Sequence, residues 1–314
     1  MAFFSRLYIR RKKKKRRISM SLITGILEQL INGLRTGSIY ALIAIGYTMV
    51  YGIAKMINFA HGDIIMVGAY SLYVFTAVLN LPAAASVILT VVVCAVLGIV
   101  VERIAYKPLR NAPSLAVLIT AIGVSYFLQN TALLIFKATP IPFGSIINVS
   151  GIRLGNINIS GVTLVTFIVT VVMMVGLTLF INKTKAGSAM RAVSEDRGAA
   201  SLMGINVNKT ISMTFAIGSA LAAVAGILYI CQYQSLQPTL GALPGIKAFV
   251  AAVLGGIGSI PGAMLGGLLL GIIESLSRAY ISTQLADAIV YGVLVIVLLV
   301  RPSGLLGKQK TEKV

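Results

Sequence analysis

Charge is scarce in this sequence. Only 11% of its 314 residues are charged, against 57% apolar, and it has one histidine, two cysteines and no tryptophan. A lone His61 without a Cys/His cluster excludes a transition-metal centre, and no cofactor is expected. Cys94 and Cys231 fall in or beside apolar segments, where small buried thiols are common. A G-x-x-x-x-G-K-[ST] phosphate loop is also missing: Gly307 and Lys308 are followed by Gln309, and Pro302 stands where the first glycine belongs. The chain therefore should not hydrolyse nucleotide itself. No nucleophile elbow or zinc-protease helix occurs either, so it is not expected to be an enzyme.

What the sequence has in quantity is hydrophobic length. Apolar runs of roughly twenty residues recur, as bilayer-spanning helices require, whereas a β-barrel would alternate in segments of about ten. The expected fold is all-α, a polytopic membrane bundle of about eight hydrophobic segments. Six are continuous, at 36–54, 83–101, 115–135, 162–182, 211–231 and 285–300. Two more, 56–80 and 245–277, are interrupted by I-N-F-A-H-G-D and by G-G-I-G-S-I-P-G, which resist helix continuation through Gly, Pro and polar groups.

The net charge of +19 suggests nucleic acid until it is mapped. Nine of the 27 Lys and Arg residues lie in the first seventeen positions, chiefly Arg10 to Arg17. They read as a disordered basic tail over 1–20 that helps fix orientation, ahead of a more ordinary start at Met20. Nucleic acid is not an expected partner; membrane lipid is.

Basic residues also mark the loop with Arg103, Lys107 and Arg110, an island at 183–210, and the tail beginning at Arg301. All of these, with both chain termini, are expected on one face of the membrane, the cytoplasmic one. That parity holds only if 56–80 and 245–277 each enter and leave by the same face, as re-entrant half-helices or as short hairpins. The halves also resemble each other weakly: small-residue spans at 36–54 and 211–231 each precede an interrupted segment. Such duplication with broken helices is a recurring transporter plan. Gly218, Ala222 and Gly226, Gly262 with Gly266, and Gly267 with Gly271 have the four-residue spacing of close helix packing.

Within the first break, Asn58, His61 and Asp63 stand where lipid-facing side chains would be expected, so they line a cavity, bond internally or cap a half-helix. A helix restarting near Gly62 would present N–H groups suited to a carboxylate. Gly256, Gly258 and Ser259 are the matching candidates for a translocation path in the second break. Gln129 and Asn130 are expected to bond across helices, and Glu274, Arg278 and Asp287 to be interfacial or paired. The island suits a short amphipathic surface helix between Gly187 and Gly204, with Ala192, Ala199, Ala200 and Gly204 on a small-residue face that could enter a groove.

Several motifs together resemble one family. N-G-L-R-T-G-S-I-Y-A-L-I-A-I-G-Y-T-M-V-Y-G-I before I-N-F-A-H-G-D, then M-R-A-V-S-E-D-R-G-A-A-S-L-M-G-I-N-V, K-A-F-V-A-A-V-L-G-G-I-G-S-I-P-G-A-M-L-G-G and R-P-S-G-L-L-G are similar to the LivH-type inner-membrane permease of bacterial high-affinity branched-chain amino-acid ABC importers. The similarity spans roughly 21–307, leaving 308–314 as a tail. It implies leucine, isoleucine and valine as substrates, alternating access, and partners in a second LivM-like permease, two cytoplasmic ABC ATPases and an extracytoplasmic binding protein. It also implies that the island is the ATPase-coupling loop, with Arg191, Glu195, Asp196, Arg197, Ala199, Ala200 and Gly204 as its candidates. Gly198 replaces the family's usual glutamate before the paired alanines. Rival readings are an ion-coupled carrier, a passive channel for small polar solutes, and a permease of the same family for another substrate such as urea.

Overall fold

The computed structural model describes the backbone of residues 2–110, 112–154 and 157–307, and side chains over 24–110, 112–153 and 159–307. The order of elements is α1 (Ala2–Ala54), α2 (His61–Tyr73), α3 (Ala83–Val101), α4 (Ser114–Phe136), β1 (Ile141–Pro142), β2 (Ile152–Leu154), β3 (Ile157–Ile159), α5 (Gly161–Lys183), α6 (Lys185–Glu195), α7 (Arg197–Leu202), α8 (Val207–Tyr233), β4 (Ser235–Leu236), α9 (Ala242–Gly255), α10 (Ile260–Tyr280) and α11 (Ala286–Val300). A π-helical turn extends α2 to Val78, and π and 3₁₀ turns extend α3 to Leu109. Seven of the described helical stretches are long and apolar enough to span a bilayer, and α9 and α11 are shorter apolar helices. The count exceeds the expected eight segments because 245–277 is two helices, broken at 256–259.

Serine and threonine inside these helices return their hydroxyls to the carbonyl four residues back, as Ser38 does to Leu34 and Thr214 to Thr210. That supplies those hydroxyls with an acceptor in a medium without water, although the buried hydroxyls of Thr48, Thr90 and Ser219 have no partner among the described residues. Caps appear instead at helix starts: Ser160 on α5, Thr184 on α6, Asn206 on α8 and Ser259 on α10.

Packing fixes the direction of each helix. The C-terminal end of α1 meets the island through Arg197, which donates to the Ala54 carbonyl. Arg110, beyond α3, reaches Asn208 at the start of α8. Leu305 and Leu306 donate to the carbonyls of Leu254 and Gly255 at the end of α9. These contacts define one face, the island face. Opposite, Gly25 of α1 packs against the Tyr280 hydroxyl at the end of α10, and β1 pairs with β4.

α1 therefore runs toward the island face, and Thr24, its first residue with a described side chain, lies on the far side. α1 thus has the opposite direction to the one inferred from its basic tail. α1 carries helical backbone from Ala2, through the segment expected to be disordered; the basic side chains of 1–20 lie outside the described residues. The tail at 308–314 lies outside them too.

With α1 reversed, 56–80 needs no re-entry. Residues 55–60 descend without helix from the island face, α2 continues to the far face, and the segment crosses once. The second interrupted segment is a hairpin: α9 runs to the island face, 256–259 turn, and α10 returns.

The weak duplication becomes a specific relation. α1, α2 and α3 correspond to α8, α9 and α10 turned upside down: α8 runs away from the island face, and α9 starts at mid-depth and runs toward it. α10 packs along α1 with Gly267 against Ala41 and Gly271 against Gly37; α3 packs along α8 with Gly98 against Ser219. Gly226 lies on Ile65 of α2, and Gly262 and Gly266 on Gly255 and Ala251 of α9. The small-residue spacings are thus helix contacts, as read from the sequence.

Candidate functional site

The two half-helices start against each other. A Cβ on Gly62 would lie 2.6 Å from the Gly241 carbonyl oxygen, and one on Gly245 would lie 2.8 Å from the Gly62 Cα. Gly46, whose own Cβ would fall 2.6 Å from His61 Nε2, sets the depth, eight residues or about 12 Å above the end of α1. The residues that begin α2 and α9, Ala60 and Gly241, have no capping side chain, and His61 and Asp63 follow in the first turn of α2.

Their bonding is internal. Tyr106 donates to Asn58 Oδ1 at 2.7 Å, and Gln129 donates to Asp63 Oδ1 at 2.8 Å, across helices as expected. Asn130 instead donates to the Tyr126 carbonyl of its own helix. The His61 ring bonds to the Ile43 carbonyl and lies 4.6 Å, centroid to centroid, from Tyr47. Phe249 stands 5.8 Å from Tyr47 and 5.4 Å from Phe59. Asn58, His61 and Asp63 are all buried, while Asn58 Nδ2 and His61 Nε2 have no partner. At mid-depth the chain is closed: glycine contacts exclude space, and the aromatic cluster fills the rest.

Toward the island face it opens. A cavity of about 470 Å³ is lined by the ends of α1 and α5, by Met190, Arg191, Ser194 and Glu195 of α6, and by Gly258 and Ser259. Gly258, with φ +97°, has nothing within 4 Å of a Cβ position. Gly256, φ +101°, does not line the cavity; a Cβ there would collide with Gly307, where the C-terminal segment folds back. Ser259 both faces the cavity and accepts from the Gly262 N–H at 3.2 Å. The two candidate sets thus occupy different levels, Asn58 to Asp63 in the closed layer and Gly258 with Ser259 in the open one.

The island is a bent pair of helices, α6 and α7, rather than one amphipathic helix. The bend is at Asp196, whose Oδ1 accepts from Gly198 N at 2.7 Å and Ala199 N at 3.0 Å, a strong N-cap. Arg191 binds the Ile181 carbonyl at the end of α5, and Arg197 the Ala54 carbonyl at the end of α1. Partial burial first, and the Arg110 charge second, lower the Arg197 pKa from its ordinary value. Ala199 is exposed, but Ala200 is buried and accepts from the Ile205 N–H, which corrects its place on an outward small-residue face. Gly204 takes φ +80° in the turn that follows. What projects into water is Leu202 and Met203, 90% and 82% exposed, which sequence reasoning passed over because two apolar residues in an apolar chain carry no contrast.

A second omission is Lys247. It is buried in α9, 2.7 Å from Glu274 and 2.7 Å from Asp287, and Arg278 lies 2.5 Å from Glu274. Glu274, Arg278 and Asp287 are therefore paired as expected, through a lysine hidden inside an apolar run.

A polytopic helical membrane permease is the class this architecture defines. The match to known proteins is specific: residues 29–298 fit the model of the family described as branched-chain amino acid transport system / permease component, and the chain belongs to that family. It is 48% identical to the high-affinity branched-chain amino acid transport system permease protein BraD of Pseudomonas aeruginosa, over 92% of this chain and 98% of that one. It is 47% identical to the corresponding LivH protein of Escherichia coli K12, over 92% and 97%, and 30% identical to a probable LivH of Methanocaldococcus jannaschii, over 86% and 89%.

Proposed function

We propose that this chain is the membrane permease subunit of an ATP-driven importer, in a bacterial inner membrane, that carries branched-chain amino acids into the cytoplasm by alternating access. The observation that carries the reading is mechanical. The island touches the chain where the path is interrupted: Arg197 holds the end of α1 just before the 55–60 break, and α6 shares a cavity with Gly258 and Ser259 of the second break. A push on the island would reach both interruptions without crossing the apolar core.

Charge supports a cytoplasmic island. Among the described residues, Arg103, Lys107, Arg110, the basic residues of the island and Arg301 share its face, whereas Lys137, Arg153 and Arg278 are at the far one. Exposed Leu202 and Met203 supply an apolar contact for an ATPase groove, with Glu195, Arg191 and Ala199 around it. The remaining partners are a second LivM-like permease and an extracytoplasmic binding protein. The tight mid-depth layer and the island-face cavity support a reading as the state accessible from the cytoplasmic side.

Purified complex in vesicles tests this. Uptake of leucine, isoleucine and valine should require ATP, the ATPases and the binding protein together. Flux through the lone subunit would establish a channel or carrier instead, and uptake of urea in place of apolar amino acids would reassign the substrate.

A further inference from the structure

Beside the coupling segment lies a groove of about 630 Å³ that the transport reading leaves unused. Its walls are the end of α3 and the start of α8, which run antiparallel. Its deeper part is apolar, with Ile99, Met213 and Ala216; its mouth, at the island face, carries Arg103, Lys107 and Lys209. We infer that this groove binds an anionic phospholipid of the adjacent leaflet, its phosphate held by Arg103, Lys107 and Lys209 and its acyl chain lying along Ile99, Met213 and Ala216.

Charge complementarity points to that occupant. Among the described residues, none of the three basic side chains takes part in an ion pair or side-chain hydrogen bond. The neighbouring acid, Glu102, is fully buried and already committed to Arg110 and to the Ser212 hydroxyl at 2.6 Å. Three uncompensated cations thus face one opening, and the wall turns apolar with depth, in the order that a lipid's headgroup and tail would need. An acidic protein surface would match the cations but not the apolar part of the groove, which lies beside lipid along two spanning helices. The site would tie α3 to the base of α8, the helix that leads out of the island.

The test is lipid retention by the full-length protein, purified in mild detergent and measured by native mass spectrometry with phosphatidylglycerol, phosphatidylcholine or inorganic phosphate as probe. Each basic side chain near an anionic headgroup contributes about a fivefold preference, so phosphatidylglycerol should be preferred over phosphatidylcholine by up to about a hundredfold at low salt. Arg103→Gln with Lys107→Gln and Lys209→Gln should abolish that preference. The charge-keeping set Arg103→Lys, Lys107→Arg and Lys209→Arg should retain it, which separates loss of binding from loss of fold. Equal retention of the two lipids by the unaltered protein would overturn the assignment. So would an unchanged preference in the glutamine variant, competition by inorganic phosphate as strong as by lipid, or a variant that loses only co-purification of a partner protein.

Discussion

α2 and α9 start alike, uncapped at mid-depth and glycine against glycine, yet their surroundings differ. Around α2 the polar groups are tied by hydrogen bonds from neutral donors, Tyr106 to Asn58, and Ser125 and Gln129 to Asp63. Around α9 the same task falls to ions, with Lys247 between Glu274 and Asp287. A neutral hydrogen bond contributes little net free energy, whereas separating a buried ion pair strands a charge. The inverted halves therefore share a backbone plan but not the means of holding it: ions link α9, α10 and α11, whereas hydrogen bonds from neutral donors hold the start of α2.

The largest effect should come from the feature both halves share. In Gly62→Ala the added methyl meets the Gly241 carbonyl oxygen, which is backbone and cannot swing aside. Overpacking of this kind should cost about 3 kcal/mol or more, read as a lowered unfolding temperature and loss of monodisperse protein. Gly258→Ala is the control. It faces open space, so only its positive φ opposes the side chain, at about 1 kcal/mol. Equal destabilisation by the two would mean that the half-helix starts are not closely packed.

The difference between the halves comes next. Lys247→Met leaves Glu274 with Arg278 alone and the half-exposed Asp287 with no cation, and should destabilise by about 2 kcal/mol, less than a buried pair stripped of every cation, partly restored by adding Glu274→Gln. Tyr106→Phe, which removes the 2.7 Å bond to Asn58, should cost only about 1 kcal/mol in the same unfolding measurement. A Tyr106 effect as large as that of Lys247 would erase the asymmetry.

Much of this plan is legible in the sequence. Helical length, both breaks and the hydrophilic island follow from hydropathy and from Gly, Pro and polar punctuation, which are local properties. Direction is not local. Crediting the basic run before Met20 with orienting α1 reverses that helix, and the reversal forces re-entry on 56–80. Pairings across the bundle are equally hidden: Lys247 meets acids 27 and 40 positions away, and Arg197 meets Ala54 across 143. Periodicity shows that two halves are alike, but only packing shows that one is inverted.

The smallest stability effect separates two adjacent acids of the island. Asp196 caps α7 through two N–H groups, so Asp196→Ala should cost about 1 kcal/mol and loosen the bend that presents Leu202 and Met203. Glu195 has no such bond and lines the cavity, so Glu195→Ala should leave stability within about 0.5 kcal/mol. In ATP-dependent uptake, Asp196→Asn, which keeps a capping oxygen, should stay near the unaltered level while Asp196→Ala falls several-fold. If Asp196→Asn falls as far as Asp196→Ala, the carboxylate's charge acts on the partner directly; if only Asp196→Ala falls, the residue works by shaping the island. The second outcome is expected, because both cap bonds already occupy Oδ1 and hold it against the backbone.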